Sequence, residues 1–279
     1  MRILKHLFDF YINASIHVAL SVCALTWITL LEFGTSYDST VLWFNFFATI
    51  TGYNFVKYFG LAKFHHRSLA NKLKVIQVFS LLCFVALCYY ACMLEIKTWL
   101  YILLLGAITF FYAIPFLPRN IFVDSNQNLR QISGLKIYVI GLVWCAVTVL
   151  LPVIDNKIAI TADILITTLQ RFVFVLVLMI PFEIRDLQYD SLKLSTIPQR
   201  IGIRKTKISG VVLLVVFFFL ELFKDQTSTE NVLVLGVFIL ITILFVLLAR
   251  KNQTKYYSSF FVEGLPILWL VLLLFYGLR

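Results

Sequence analysis

Long apolar runs recur along the whole chain and constrain its fold more than any other feature. Nine can be counted, at about 10–31, 40–56, 75–94, 98–114, 135–154, 164–182, 208–223, 231–249 and 260–277. Most approach the ~20 residues with which an α-helix crosses a bilayer. They are uniformly apolar and lack the alternation of a membrane β-barrel. The sequence therefore predicts an all-α fold: a bundle of nine transmembrane helices that forms a single integral-membrane domain over residues 1–279.

Composition and charge placement favour the same class. Of the 279 residues, 61% are hydrophobic and only 14% are charged, which excludes an ordinary soluble domain. Most of the 24 Lys and Arg residues fall in alternate loops, as the positive-inside rule requires if the N-terminus is cytoplasmic. Topology thereby explains the net charge of +10, and no nucleic acid partner is needed. We expect a multi-pass protein of the bacterial inner (cytoplasmic) membrane.

Acidic side chains follow the sixth apolar run at helical spacing. If the helix continues through them, Asp186 and Asp190 lie one turn apart on one face, with Glu183 three residues earlier on the same face. Carboxylates this close repel one another at neutral pH unless a cation joins them. Mg2+ is the obvious candidate, because it typically bridges carboxylates to a phosphate-bearing substrate. The alternative interpretation is a solvated polar helix end.

A basic loop follows the second apolar run, on the side of the membrane predicted for the carboxylates. It carries Asn54, Lys57, Lys63 and Arg67. A membrane enzyme that removes diphosphate from a lipid needs such cations together with Mg2+, because both neutralise the leaving group as its bond breaks. The apolar, aromatic-rich bundle would house the lipid tail.

Three further polar residues fall within the apolar runs or at their edges. His17 is interpreted either as hydrogen-bonded to a neighbouring helix or as a functional group. Arg171 is expected either to extend its side chain to the outer surface or to form a buried ion pair. Glu263, just before Gly264 and Pro266, is interpreted as a polar residue at the membrane boundary near the inner surface, without a specific role.

Several of these motifs together resemble the UbiA superfamily of intramembrane prenyltransferases. Arg185-Asp186-Leu187-Gln188-Tyr189-Asp190, followed by Thr196-Ile197-Pro198 and Gly202, is similar to the family's second aspartate-rich motif. Tyr112-Ala113-Ile114-Pro115 after the fourth run and the nine runs also fit. The chain resembles a divergent member, because Tyr58 and Ala62 stand after Asn54 where the family's first motif has aspartates.

The resemblance implies transfer of a prenyl group from an allylic prenyl diphosphate to an aromatic or other lipophilic acceptor. It implies that Asp186 and Asp190 are catalytic and that they bind Mg2+ together with Glu183. The side chains expected to contact the diphosphate are Asn54, Lys57, Lys63, Arg67, Lys193 and Tyr112. The alternative is a catalytically degenerate member that binds a membrane lipid or pairs with another membrane protein. A transporter is a third alternative, although no internal repeat supports it.

Overall fold

The computed structural model describes residues 2–58, 67–113, 134–188, 196–225 and 227–277. These residues form helices and turns, and no strand occurs among them. The helices are α1 (Arg2–Asn13), α2 (Ile16–Glu32), α3 (Ser39–Tyr58), α4 (Arg67–Ala91), α5 (Ile96–Ala113), α6 (Leu135–Cys145), α7 (Leu151–Asp155), α8 (Ala162–Asp186), α9 (Ile197–Glu221), α10 (Thr229–Leu248) and α11 (Leu265–Leu272). Three π-helical turns continue or precede them, at Ala146–Leu150, Tyr257–Val262 and Leu273–Gly277.

Five described stretches are long and apolar enough to cross a membrane. They are Leu73–Ala91, Leu135–Asp155, Ala162–Asp186, Thr229–Leu248 and Tyr257–Tyr276. A sixth arises if α1 and α2, which meet at a bend of 56°, form one span. The all-α membrane fold is thus confirmed, but the predicted count of nine spans is not. Helices α3, α5 and α9 are not among these stretches. Polar residues interrupt α3, basic residues occupy the first half of α9, and α5 is shorter.

The first predicted run, 10–31, contains a break. α1 ends at Asn13 and α2 begins at Ile16, because Ser15 adopts a left-handed backbone conformation with φ 64°. That conformation is uncommon for a residue with a side chain and is held in place only by surrounding contacts. The polar Asn13-Ala14-Ser15 segment therefore separates the amphipathic α1 from the apolar α2.

α8 is the central helix of the bundle and packs against α6, α9 and α10. Its first turn is capped by the Thr161 hydroxyl, which accepts a hydrogen bond from the Ile164 N–H. Phe174 lies at the middle of α8, with its ring centroid 5.8 Å from that of Phe217 and 5.4 Å from that of Phe238. These buried rings hold α8, α9 and α10 together.

Arg171 on α8 is buried, with 1% of its surface exposed, and does not extend to the surface. Its Nη2 donates a hydrogen bond to the Thr29 hydroxyl at 3.2 Å, and its guanidinium lies 5.1 Å from the ring centroid of Trp269. The carboxylates of Glu32 and Glu221 act on it electrostatically. Of the two alternatives for Arg171, the structure therefore agrees with burial beside acidic side chains.

Candidate active site

A cavity of about 1010 Å3 lies among α3, α4, α5, α6 and α8. This is the upper end of the range of roughly 300–1,000 Å3 for small-molecule sites. Apolar side chains form most of its wall, including Phe44, Leu87, Ile102, Leu105, Val143 and Leu178. Along α3 the wall runs from Phe44 to Lys57, about 20 Å at the helical rise per residue. The cavity can therefore hold an extended apolar chain.

One end of this cavity is charged and is called the charged end below. Lys57, Lys136, Arg185, Asp186 and Glu263 all line it. They come from the last turn of α3, the first turn of α6, the last turn of α8 and the position directly after the π-helical turn Tyr257–Val262. Four separate stretches of the chain thus place charges together, beside an otherwise apolar cavity.

Glu183, Asp186 and Asp190 form the acidic stretch, and the two of them that the structure describes, Glu183 and Asp186, share one cation. Lys136 Nζ lies 3.4 Å from Glu183 Oε1 and 3.5 Å from Asp186 Oδ2. Arg185 also donates to Asp186 Oδ1, from Nε at 2.9 Å and from Nη2 at 2.7 Å. Glu183 and Asp186 therefore lie on one face of α8, as their spacing predicts.

Helix α8 ends at Asp186, and Leu187 and Gln188 form a turn. The described residues therefore do not contain the helical continuation towards Asp190 on which the sequence prediction was based. Asp190, Lys193 and Lys63 lie outside the described residues, as does the side chain of Arg67 at the start of α4. Their predicted roles stay predictions.

Lys57 and Asn54, which are both predicted to contact diphosphate, lie in different environments. Lys57 lines the cavity and donates a hydrogen bond to the Ser15 hydroxyl at 2.8 Å. The Asn54 amide is buried: it accepts from Ser15 and donates to the Ala14 carbonyl and the Ser80 hydroxyl. These contacts favour a structural role for Asn54, joining α2, α3 and α4 and fixing the backbone that presents Lys57.

Tyrosines line the cavity next to the charged groups. Tyr53 lies one turn deeper on α3 than Lys57, and its hydroxyl accepts a hydrogen bond from Trp144 Nε1 at 2.8 Å. The Lys57 ammonium lies 5.7 Å from the Tyr53 ring centroid. Tyr112, another predicted diphosphate contact, is buried in the wall near Tyr53. Aromatic faces of this kind can stabilise a nearby positive charge.

Neither a family model nor a curated protein sequence matches this chain. Two solved structures match its fold. One is a digeranylgeranylglyceryl phosphate synthase, with a TM-score of 0.57 and 13% identity over 97% of this chain and 96% of that chain. The other is a UbiA homolog from Archaeoglobus fulgidus bound to GPP and Mg2+, with a TM-score of 0.56 and 12% identity over 93% of this chain and 97% of that chain. The chain has the UbiA fold.

The UbiA fold was expected from the motif at Arg185–Asp190, and the resemblance is confirmed at the level of fold. Identities of 13% and 12% leave the activity of this chain to be argued from its own residues. The UbiA fold of this chain carries the cavity described above, with its charged end where the acidic stretch and the end of α3 meet.

The contacts of Lys136 with Glu183 and Asp186 show whether these two carboxylates are suited to binding Mg2+. Glu183 and Asp186 already direct carboxylate oxygens at one ammonium, and carboxylate oxygens are the ligands that Mg2+ prefers. Mg2+ commonly takes one or two protein carboxylates and completes its shell with water and phosphate. No cluster of three or more His, Cys, Asp or Glu side chains suited to a metal occurs in the described part of the chain. The pair therefore fits Mg2+ held jointly with a phosphate-bearing ligand, provided that Lys136 moves away.

Two residues of the charged end, Lys136 and Glu263, and one residue that contacts it, Ser15, could not be assigned to the site from the sequence. Lys136 is one of the basic residues that indicate the membrane orientation, and nothing in its local sequence predicts its contact with α8. Ser15 falls inside an apolar run, where its hydroxyl gives no signal of the Lys57 contact. Glu263 resembles a boundary residue before Gly264 and Pro266, although a carboxylate near the start of a membrane span is itself a signal of function.

Another ion pair, between Lys255 and Asp9, joins α1 to the segment before the last span. Lys255, in the segment before the last span, donates to Asp9 Oδ1 of α1 at 2.6 Å, and the Tyr256 hydroxyl donates to the same oxygen at 2.7 Å. The hydrogen bond to Asp9 raises the pKa of the Lys255 ammonium above its ordinary value. This contact holds α1 against the turn that leads to Glu263.

Proposed function

We propose that this chain is a divergent member of the UbiA superfamily that transfers a prenyl group from an allylic prenyl diphosphate to an aromatic or other lipophilic acceptor. The observation that carries the proposal is the cavity, which joins a charged end to a long apolar body. A prenyl diphosphate has the same division, with a charged head and an apolar chain. The UbiA homolog of like fold is bound to GPP and Mg2+, which supports the same ligand class here.

The diphosphate would lie at the charged end. Lys57 supplies an ammonium at the mouth of the apolar body, and Tyr112 contributes a buried phenol to the wall. Lys63, Arg67 and Lys193 are proposed as further diphosphate contacts. As the allylic C–O bond breaks, its electron pair leaves with the diphosphate, and these cations stabilise the developing charge.

Glu183, Asp186 and Asp190 would hold Mg2+, and Asp186 and Asp190 are the proposed catalytic carboxylates. When bound, the ion supplies positive charge to the leaving diphosphate. Without the ion, Lys136 pairs with Glu183 and Asp186, and Arg185 pairs with Asp186, so both carboxylates are neutralised. A fixed ammonium provides charge at a point, whereas a guanidinium can also orient phosphate oxygens.

The proposed topology is nine spans in one domain over residues 1–279, with the N-terminus and the charged end on the cytoplasmic side. The placement of basic residues supports this orientation. The bacterial inner membrane is the proposed location. Helices α3, α5 and α9 would cross the bilayer as part of the bundle, because they pack against the five apolar stretches that are long enough to do so.

A second candidate function is binding of a membrane lipid or protein without catalysis. The charge pairing at the site favours it: both described carboxylates are already matched by Lys136 and Arg185. A site that is balanced in this way can bind a ligand without a metal. The two candidates differ in whether the allylic C–O bond breaks.

The test is turnover of labelled geranyl diphosphate by the purified protein with Mg2+ and a panel of phenolic and lipid-alcohol acceptors. We expect prenylated product from the wild type and a loss of about 100-fold or more in Asp186→Asn and Asp190→Asn. Asp163→Asn is the matched control, because it makes the same change in the first turn of α8, at the opposite end of that helix. Equal activity in Asp186→Asn and Asp163→Asn would refute the metal assignment. Binding of geranyl diphosphate without release of diphosphate would support the second candidate.

A further inference from the structure

Glu263 is a cavity-lining carboxylate that has no part in the proposed function so far. It lies on the last span, away from the acidic stretch of α8. Lys57 and Arg185 act on it electrostatically, and its own charge acts on the phenols of Tyr11 and Tyr53. It is thus surrounded by groups from three other helices, α1, α3 and α8, at the junction between the charged end and the apolar body.

The backbone at Glu263 is built by a π-helical turn. Tyr257–Val262 adopts this conformation, and the Glu263 N–H donates to the Ser258 carbonyl at 3.0 Å. His17 Nε2 lies 2.8 Å from the Phe260 carbonyl oxygen and stabilises the same turn. π-Helical turns inside helices are rare and occur frequently at functional sites, because they redirect the side chains that follow.

Two serines on α2 show how deep Glu263 lies. Ser15 contacts the ammonium of Lys57, and Ser21 donates to the backbone carbonyl of Glu263. At the helical rise, the step of six residues from Ser15 to Ser21 corresponds to about 9 Å. The backbone of Glu263 therefore lies about 9 Å further along α2, away from the charged end, than the Lys57 ammonium. Side chains lean towards the N-terminus of their helix, which directs this carboxylate back towards the charged end.

We propose that the Glu263 carboxylate faces the reacting carbon of the prenyl donor and accepts the proton that the acceptor loses. This inference rests on the proposed function and adds a catalytic residue to it. With the diphosphate at Lys57, the first carbons of the chain occupy the space between that ammonium and the apolar wall. Glu263 lies beside this space and supplies negative charge where the allylic group becomes positive.

The reaction then balances without a further reagent. The allylic C–O bond breaks and its electron pair leaves with the diphosphate. The acceptor's carbon or oxygen forms a new bond to the allylic carbon, and the acceptor's proton passes to Glu263. The buried carboxylate therefore has two functions, stabilising the cation and removing the proton, and both require its negative charge.

The first test is binding of a cation that mimics the ionised donor and does not react. Geranylammonium is the probe, and its affinity is measured by calorimetry with the detergent-solubilised protein. We expect Glu263→Gln to weaken its binding at least tenfold, whereas geranyl diphosphate binds Glu263→Gln as well as or better than the wild type. Glu263→Asp should retain most of the affinity for geranylammonium. Glu230→Gln is the matched control, because Glu230 is exposed in the first turn of α10 and does not line the cavity.

The second test separates bond breaking from proton removal. In Glu263→Gln we expect diphosphate release from geranyl diphosphate to fall less than formation of the prenylated acceptor. Equal affinity of wild type and Glu263→Gln for geranylammonium would overturn the assignment, and so would a proportional fall of both rates. If the wild type neither releases diphosphate nor forms product, the proposed function fails instead. The geranylammonium experiment then still decides whether Glu263 faces a cation in this cavity.

Discussion

Replacing Arg171 with Met should destabilise the protein strongly, because it leaves Glu32 and Glu221 with only one of their two cations. Arg171 and Lys224 face Glu32 and Glu221 in a cluster at the opposite end of the bundle from the charged end. Lys224 Nζ lies 2.8 Å from Glu221 Oε2 and 3.8 Å from Glu32 Oε2. The cluster is neutral with all four residues and carries one net negative charge after Arg171→Met.

The magnitude follows from the contacts of Arg171. A hydrogen bond from a charged donor, here to Thr29, contributes about 1.5–3 kcal/mol. A desolvated cation–π contact, here with Trp269, contributes about 2 kcal/mol. Removal of one partner from a buried group of charges costs about 3–5 kcal/mol. This value agrees with the sum of the hydrogen bond and the cation–π contact. We therefore expect the free energy of unfolding to fall by about 3–5 kcal/mol.

Thermal unfolding in detergent, followed by circular dichroism, measures this effect. For a chain of this size the expected fall in Tm is roughly 6–20 °C. The exposed Arg250→Met is the matched control and should lie within about 0.5 kcal/mol of wild type. Adding Glu221→Gln to Arg171→Met restores neutrality and should recover about 1–3 kcal/mol. A double variant less stable than Arg171→Met would refute the charge argument, as would an Arg171→Met variant as stable as Arg250→Met.

Two further predictions concern the charged end and the turn that carries Glu263. Lys57→Met should weaken binding of geranyl diphosphate about 10- to 100-fold, through loss of one charge-assisted contact, whereas Lys97→Met, an exposed lysine of α5, should not change it; calorimetry decides between them. Gly264→Ala should lower the free energy of unfolding by about 1–3 kcal/mol, because the new Cβ would lie 2.8 Å from the Phe260 carbonyl oxygen. Gly106→Ala meets nothing within 4 Å and should be neutral or stabilising, and equal Tm values for the two glycine variants would contradict the packing argument.

The sequence was sufficient for the fold class, and it selected some of the residues that line the cavity. Lys57, Tyr112 and Asp186 were selected from separate loops, and the structure places all three on one cavity. Their shared location has a simple physical reason: charges are costly in lipid, so those at the ends of neighbouring spans lie together on one side of the membrane. Asn54 satisfied the same pattern, but its amide is taken up by backbone and hydroxyl partners.

The rest depended on geometry that local sequence does not encode. Counting apolar runs treats 10–31 as one helix, because a left-handed residue such as Ser15 leaves no trace in hydropathy. The π-helical turn before Glu263 shifts the register by one residue, and a helical period of 3.6 residues does not anticipate this shift. Lys136 reaches Glu183 and Asp186 across a helix pair, and nothing near it in the chain predicts this contact.

The charge balance of the site links these residues to its use of metal. Among the described residues, the cations Lys57, Lys136 and Arg185 are matched by the anions Glu183, Asp186 and Glu263, so these six sum to zero. A diphosphate that enters such a site adds several negative charges in a region of low dielectric, where each unmatched charge is costly. Its binding therefore requires further positive charge, either from Mg2+ at the α8 carboxylates or from the basic side chains that follow α3 and α8 in the sequence. The affinity for geranyl diphosphate should consequently rise with Mg2+ in the wild type, and this rise should shrink when Asp186 is replaced by Asn.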